Sequence, residues 1–194
     1  MTREPLDYLS RLPVSTSPWR SFLSGLWRVT NSTIFRVPLP ILNFLRVGLL
    51  RLFGASVGKD VFVESSVRID TPWKLELGDE VKIEKCVILN AIGGISIGQK
   101  CQISPYAHFC SANHDYTEPA MQVLACPIVI GANCWIAVDS FVGPNTRIGS
   151  GSLLASRSTA FGDLPGESLL VGEPAKRLRS SGGLFDTREL NSVS

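Results

Sequence analysis

An aliphatic or phenylalanine side chain recurs at every sixth residue through most of the chain. These positions are 57, 63, 69 and 75; 77, 83, 89 and 95; 97, 103 and 109; and, after a gap, 130, 136, 142, 148 and 154. A strand alternates with a period of two and an amphipathic helix repeats every 3.6 residues, so a period of six belongs to neither. It fits short strands joined by corners, in which every sixth side chain points into a three-sided prism. The pattern therefore predicts a parallel β-helix, whose stacked coils share one core.

A second position, four residues after the first, is mostly small or β-branched. Its members are Val61, Val67, Val81, Val87, Cys101, Ala107, Cys134, Ser140, Thr146 and Ser152. A narrow interior needs a small side chain beside each large one. Each coil also begins with an aliphatic residue followed by glycine, at Gly58, Gly78, Gly98, Gly131 and Gly149. The repeat does not determine the handedness of the prism.

The first 56 residues differ from the repeat and predict a helical, apolar extension. After Pro40, an apolar face of Ile41, Phe44, Leu45, Leu49 and Leu52 is set against a polar face of Asn43, Arg46 and Arg51. One interpretation is a helix that rests on a membrane surface. The other is a cap on the open first coil, which every solenoid needs. The sequence leaves both open.

Composition narrows the choice of partners and compartment. The 194 residues carry a net charge of +2 without a basic stripe along the repeat, so nothing indicates a nucleic-acid partner. Five cysteines at irregular spacing suggest neither a disulfide framework nor a metal site, and only two histidines are present. We therefore expect no metal and a cytoplasmic protein, with contact to the inner face of the plasma membrane left open by the apolar extension.

One excursion interrupts the repeat between Phe109 and Ile130 and carries the best candidate for chemistry. It includes His114, and a long loop that leaves a rigid scaffold is where functional residues concentrate. Histidine is also the side chain best suited to move a proton near neutral pH. Glu118 is a candidate carboxylate partner for it. His108, at a corner, is interpreted as a structural residue.

Several segments together resemble the hexapeptide-repeat acyltransferases. They are the repeat, Asn113-His114, the run Ile128 to Ile136 with Trp135, and the closing Val171 to Lys176 with Pro174. Within that family the chain is similar to the exopolysaccharide O-acetyltransferases of the colanic-acid type, relatives of the maltose and galactoside acetyltransferases. The resemblance implies an all-β fold, a left-handed parallel β-helix with an N-terminal helical extension, assembled as a homotrimer. It also implies acetyl-CoA as donor and a sugar or lipid-linked saccharide as acceptor.

The resemblance also assigns roles to individual residues. His114 would be the general base and Asn90 would hold the acceptor. Contacts with CoA would come from Trp135, Val138, Ser156, Pro174, Lys176 and Arg179. Two positions depart from the family pattern: Phe161-Gly162-Asp163 replaces the usual Thr-Lys-Asp, and Arg157 stands where glycine is usual.

These expectations divide the chain into an extension (1–56), the β-helix (57–179, with the loop 110–128 inserted) and a flexible tail (180–194). The predicted function is acetyl-CoA-dependent O-acetylation of a sugar in exopolysaccharide biosynthesis. Two main alternatives are an acetyltransferase for an amino sugar or serine, and a hexapeptide-repeat scaffold without activity. A metal-dependent hydratase on the same prism is disfavoured because a third histidine is missing.

Overall fold

The computed structural model describes residues 18–117 and 119–181. It begins with two α-helices, α1 (Pro18–Ser32) and α2 (Asn43–Leu52), with short 3₁₀ turns at Ile34–Arg36 and Pro40–Leu42 between them and another at Pro72–Lys74. The strands before the excursion are β1 (Ser56–Val57), β2 (Phe62–Val63), β3 (Arg68–Ile69), β4 (Leu75–Leu77), β5 (Lys82–Ile83), β6 (Ile88–Asn90), β7 (Ile95–Ile97), β8 (Gln102–Ile103) and β9 (His108–Cys110). The later strands are β10 (Ala112–His114), β11 (Val123–Ala125), β12 (Ile128–Ile130), β13 (Trp135–Ile136), β14 (Phe141–Val142), β15 (Arg147–Ile148), β16 (Leu153–Leu154), β17 (Thr159–Ala160), β18 (Asp163–Leu164), β19 (Ser168–Gly172) and β20 (Ala175–Ser180).

Three parallel sheets form the sides of a prism of about six coils. Side 1 contains β1, β4, β7, β12, β15 and β18; side 2 contains β2, β5, β8, β13, β16 and β19; side 3 contains β3, β6, β9, β14 and β17. Strand β20 folds back antiparallel on β19 at the end of side 2, and β10 and β11 form a separate antiparallel hairpin. The predicted left-handed parallel β-helix with an N-terminal helical extension is confirmed.

The six-residue repeat forms the core. Every repeat position is buried except Val57, which is half-buried, and all ten members of the small second position are buried. Where the small residue is polar, a corner carbonyl accepts its hydrogen: Ser140 Oγ donates to Ala137 O at 2.6 Å and Thr146 Oγ1 to Gly143 O at 2.7 Å. These bonds explain how serine and threonine occur inside an apolar prism, because a buried hydroxyl without a partner is unfavourable.

The corners are made by left-handed backbone. Nine residues other than glycine, each directly before a buried small residue, have φ between 53° and 65°: Asp60, Glu80, Cys86, Lys100, Tyr106, Asn133, Asp139, Asn145 and Arg157. Such a conformation costs about 1–2 kcal/mol for an L-residue, so coil stacking must hold it in place.

Glycine begins each coil because the next coil lies too close for a side chain. A Cβ atom at Gly78 would lie 2.5 Å from Gln99 N, and the other four coil-start glycines have backbone or side-chain neighbours at 2.3–2.6 Å. The glycine at the start of each coil is therefore a consequence of the tight stacking of successive coils.

The extension caps the open first coil with polar side chains. The Asn43 amide accepts a hydrogen bond from Val63 N and donates one to Val61 O, in the manner of a peptide from a further coil. Trp27 Nε1 donates to Ile69 O, and Arg36 and Arg51 donate to carbonyls of the same coil. Helix α2 therefore covers the open first coil.

The face of α2 that meets the prism is mixed, since Arg46 is buried there beside Val47 and Leu50. Arg46 is 3 % exposed and donates to Phe35 O, Val37 O, Leu39 O and Val63 O. The reason is that the edge of a parallel sheet presents unpaired backbone groups, which bind polar side chains better than apolar ones. Across residues 18–117 and 119–181, neither helix has the length and apolar run that a membrane crossing needs.

The division of the chain into domains at 1–56, 57–179 and 180–194 stays a prediction. The first strand begins at Ser56 and the last ends at Ser180. The predicted flexible tail lies outside the described residues from position 182 onward.

Candidate active site

The excursion is an ordered hairpin that presents His114 at the end of its first strand. Ala112 pairs with Ala125 at the base and His114 with Val123 near the tip. Ser111 anchors the base, since its carbonyl accepts from Cys126 N and its hydroxyl donates to Asn90 O. The hairpin leaves the prism between β9 and β12, at the corner between sides 3 and 1.

The hairpin fixes the imidazole of His114 in one tautomer. Nδ1 lies 2.8 Å from the Met121 carbonyl oxygen. A carbonyl can only accept a hydrogen bond, so Nδ1 carries the hydrogen and the Nε2 of the neutral ring keeps its lone pair. The ring is exposed, and its free nitrogen is therefore available to take a proton from a ligand.

A backbone carbonyl, rather than a carboxylate, orients this histidine in the described residues. Asp115, next to it in sequence, accepts from Thr117 N and Thr117 Oγ1 and so shapes the hairpin tip. Glu118 lies outside the described residues. Sequence reasoning missed Met121 because a backbone acceptor leaves no trace in residue identity.

Asn90 lies at the same corner as the hairpin. It ends β6 and pairs in register with Cys110, the last residue of β9 before the hairpin. Among the described residues, the contact that its Oδ1 accepts is a long one, 3.5 Å from Ile92 N. The structure thus brings Asn90 and the base of the His114 hairpin to one corner.

The six residues predicted to contact CoA lie on side 2 and its corner with side 3. Trp135, Leu153, Leu169 and Arg179 form one row across four neighbouring strands of side 2, and Lys176 pairs with Val171 near the same end. Val138 and Ser156 occupy successive turns of the corner, where Val138 O accepts from Arg157 N. Trp135, Val138, Ser156, Pro174, Lys176 and Arg179 are all exposed.

Trp135 is oriented by a hydrogen bond that sequence reasoning missed. Its Nε1 donates to Ser104 Oγ at 2.8 Å, one coil below, and this contact holds the ring against side 2. The predicted CoA residues are therefore presented along one continuous surface, and no cavity is needed to gather them.

His108 lies apart from this chemistry, on side 3. Its ring packs edge-on against Phe141, with centroids 5.5 Å apart. Burial lowers the pKa of His108, although the charge of Asp70 opposes that shift, and burial raises the pKa of Asp70. Both shifts favour the neutral forms, as expected for groups held in a partly buried position.

Within the described part of the chain, no group of three or more His, Cys, Asp or Glu side chains is arranged to hold a metal ion. All five cysteines are free. Cys101 and Cys134 occupy the small core position, and the hydrogen bond that the Cys101 thiol donates to the Cys134 side chain, together with burial, raises the pKa of Cys101.

Comparison with known proteins gives the family. No protein-family profile matches the chain. An Escherichia coli K12 protein, WcaF, provisionally named a colanic acid biosynthesis acetyltransferase, is 41% identical over 154 residues, which cover 79% of this chain and 85% of that protein. A hexapeptide-repeat acetyltransferase from Vibrio cholerae superposes with a TM-score of 0.78 at 26% identity, covering 85% of this chain and 94% of that one.

The chain belongs to the hexapeptide-repeat acetyltransferases. A maltose O-acetyltransferase from Clostridium difficile 630 shares the fold, with a TM-score of 0.76 at 21% identity over 84% of this chain and 89% of that one. The Vibrio cholerae protein has also been solved with acetyl-CoA. The predictions of family and acyltransferase activity are confirmed, and that complex bears out the predicted donor.

The two departures of this acetyltransferase from the family pattern have structural explanations. Arg157 has φ 58°, a conformation that favours glycine, and its Nε lies 3.2 Å from Asp139 Oδ2, so the side chain follows the corner. The two residues are 18 positions apart, one uninterrupted coil, and that spacing could have revealed the pair in the sequence. Phe161 packs on Phe141 and over Gly143, where a Cβ would lie 2.1 Å from its ring.

Proposed function

We propose that this acetyltransferase transfers the acetyl group of acetyl-CoA to a sugar hydroxyl during exopolysaccharide biosynthesis. The observation that carries the proposal is the fixed tautomer of His114, whose Nε2 is free to act as a base. It is supported by the 41% identity to WcaF, which is named for colanic acid biosynthesis.

In the proposed reaction His114 Nε2 removes the proton of the acceptor hydroxyl as its oxygen attacks the thioester carbon. The new C–O bond forms and the C–S bond breaks, and the proton passes from the imidazolium to the departing thiolate, so that the products are an ester and free CoA. Met121 O keeps Nδ1–H in place and stabilises the imidazolium while it carries the proton.

The donor residues supply positioning and charge. The Val138 N–H would face the thioester carbonyl, where negative charge develops. Trp135 and Ser156 would contact the pantetheine arm, and Pro174 the adenine. Lys176 and Arg179 are exposed cations suited to the phosphates.

We propose a homotrimer because one chain holds only half of this site. His114 and Asn90 lie at the corner between sides 3 and 1, whereas Val138 and Ser156 lie at the corner between sides 2 and 3. About six residues of nearly extended chain separate these corners, roughly 15–20 Å, and the three-residue strands of the hairpin span only about 10 Å. A neighbouring copy would bring the two halves together, and cyclic association provides the same pairing three times.

Sedimentation equilibrium tests the assembly directly. We expect a mass about three times the 21.1 kDa of the chain. A monomer that transfers acetyl groups at full rate would contradict the shared site.

The proposed acceptor is a saccharide carried on a membrane lipid, with the enzyme lying against that membrane. Asn90 would contact it, and the long 3.5 Å contact between its Oδ1 and Ile92 N supports this role. Replacing Asn90 with alanine should therefore raise the KM for the acceptor and leave the KM for acetyl-CoA nearly unchanged.

The test measures thiol release and acetyl-ester formation with soluble oligosaccharides, amino sugars and serine as acceptors. Ester formation on a saccharide hydroxyl, with the Asn90→Ala split in KM values, would support the proposal. Preferential transfer to an amine or to serine would replace the acceptor class. Acetyl-CoA binding without transfer to any acceptor, lipid-linked saccharides included, would favour the inactive scaffold.

A further inference from the structure

Helix α1 carries an apolar stripe that packs against nothing in the described part of the chain. Trp19, Phe22, Leu26 and Val29 are exposed and lie within roughly 80° of one another on a helix of 3.6 residues per turn. Trp19 and Phe22 stack on each other with centroids 5.7 Å apart. The opposite side of α1 attaches the helix to the prism, chiefly through Trp27.

Helix α2 meets the prism through polar and apolar side chains together. Asn43 and Arg46 bind the first coil, and Val47 and Leu50 are buried on the same side. Phe44 and Leu52 are 70% and 78% exposed on the opposite side, so α2 also presents apolar side chains outward. We define the cap surface as Trp19, Phe22, Leu26 and Val29 of α1 with Phe44 and Leu52 of α2.

The segment that carries the cap surface is strongly basic. Residues 18–59 contain six cations and no acid: Arg20, Arg28, Arg36, Arg46, Arg51 and Lys59. The whole chain carries +2, so the remaining residues together carry −4. Four of the six cations, Arg20, Arg28, Arg51 and Lys59, are exposed. Arg36 and Arg46 bond to backbone carbonyls and lie within the electrostatic reach of Glu64.

We propose that the cap surface binds an anionic lipid bilayer, with α1 and α2 lying in the interface. Exposed aromatic and aliphatic side chains on a segment with a net positive charge are the features by which helices lie on anionic membranes. The length of α1 is consistent with this placement, since its 15 residues span only about 22 Å and cannot cross a bilayer. A second copy of the chain is a poorer occupant, because pairing two cap surfaces would bring the four exposed cations of each segment toward those of the other.

This placement gives the enzyme a defined orientation. The cap surface lies at the first coil, and the His114 hairpin emerges about two to three coils further along, roughly 10–15 Å away at 4.8 Å per coil. In the trimer on which this step rests, three parallel prisms would present three cap surfaces at the same end, and binding would gain from multivalency. The membrane surface itself does not depend on the proposed reaction.

Vesicle flotation with the full chain and no substrates tests the proposal. We expect wild type to float with vesicles rich in phosphatidylglycerol, much less with pure phosphatidylcholine, and less at high salt. Phe22→Ser and Phe44→Ser should each lower partitioning about tenfold, since each removes a large apolar side chain from the interface. The matched control is Leu178→Ser, an equally exposed residue on β20, which should float like wild type. Point variants are preferred to deletion of residues 1–40, which would also remove Trp27 and Arg36 from the prism.

Three results would overturn the proposal. One is a wild type that does not float with anionic vesicles, and another is flotation of the Phe22 and Phe44 variants equal to that of Leu178→Ser. The third is a wild type that does not bind vesicles, together with Phe22 and Phe44 variants that sediment at a smaller mass than wild type. That result would show that the cap surface joins copies of the chain. Loss of acetyl transfer to soluble sugars with flotation intact would count against the proposed function alone.

Discussion

Replacing His114 with asparagine is expected to lower kcat by about 10²–10⁴-fold, the usual contribution of a positioned general base. The asparagine Nδ2 occupies the place of Nδ1 and can still donate to Met121 O, so the hairpin should keep its shape. What the variant lacks is the second nitrogen, and with it the acceptor for the proton. Because the change leaves side 2 intact, the KM for acetyl-CoA should be unaffected.

The measurement is steady-state turnover of wild type and variant at one neutral pH, with acetyl-CoA and the acceptor each varied in turn. His108→Asn is the matched control, since His108 packs on Phe141 outside the hairpin and should keep nearly full turnover. If His114→Asn retained turnover within a few-fold of wild type, another group would have to be the base.

The prism could be predicted from sequence because its core imposes a rule on every coil. One inward position of four successive coils is occupied by Val63, Ile83, Ile103 and Ile136, and all four are buried in the structure. A period of six has no other common structural source, so the pattern determined the architecture before any contact was known. The handedness came only from the family resemblance, because a repeat is the same in either hand.

The orientation of α2 could not be predicted in the same way. A helical wheel shows that Asn43 and Arg46 share a face, but it does not show what that face meets. The answer depends on the backbone groups of Val61 and Val63, which the first coil leaves without a strand partner. The buried Val47 and Leu50 lie on the same side of α2, so hydrogen-bond satisfaction and apolar contact act together.

For the candidate site, too, some features could be predicted from the sequence and others could not. Resemblance gave His114, Asn90 and the surface of side 2, whereas the orientation of the imidazole depends on a carbonyl seven residues away in the hairpin. The structure also places Asn90 and Val138 at different corners of the prism, which the sequence does not show. That separation supports the proposal that two chains share one site.

Replacing Arg46 with methionine is expected to lower the free energy of unfolding by about 3–5 kcal/mol, because methionine fills the space but donates nothing. Arg46 is 3 % exposed and serves the carbonyls of Phe35, Val37, Leu39 and Val63. Each buried acceptor left without a donor costs about 1–3 kcal/mol. At about 2–4 °C per kcal/mol for a chain of this size, the unfolding midpoint should fall by roughly 10 °C.

Relief of the buried charge should not offset this loss. Burial lowers the pKa of Arg46, against the opposing effect of Glu64, so the guanidinium is partly desolvated. Replacing a buried charge is often neutral when its partners are replaced as well. Here the partners are backbone carbonyls that no substitution removes, so their cost remains.

Arg51→Met is the matched control. Its carbonyl partners, Val57 O and Gly58 O, lie where water can replace the exposed guanidinium, and the expected change in the free energy of unfolding is below about 1 kcal/mol. Urea unfolding of both variants measures the difference, and equal losses would mean that Arg46 contributes no more to the cap than a surface arginine.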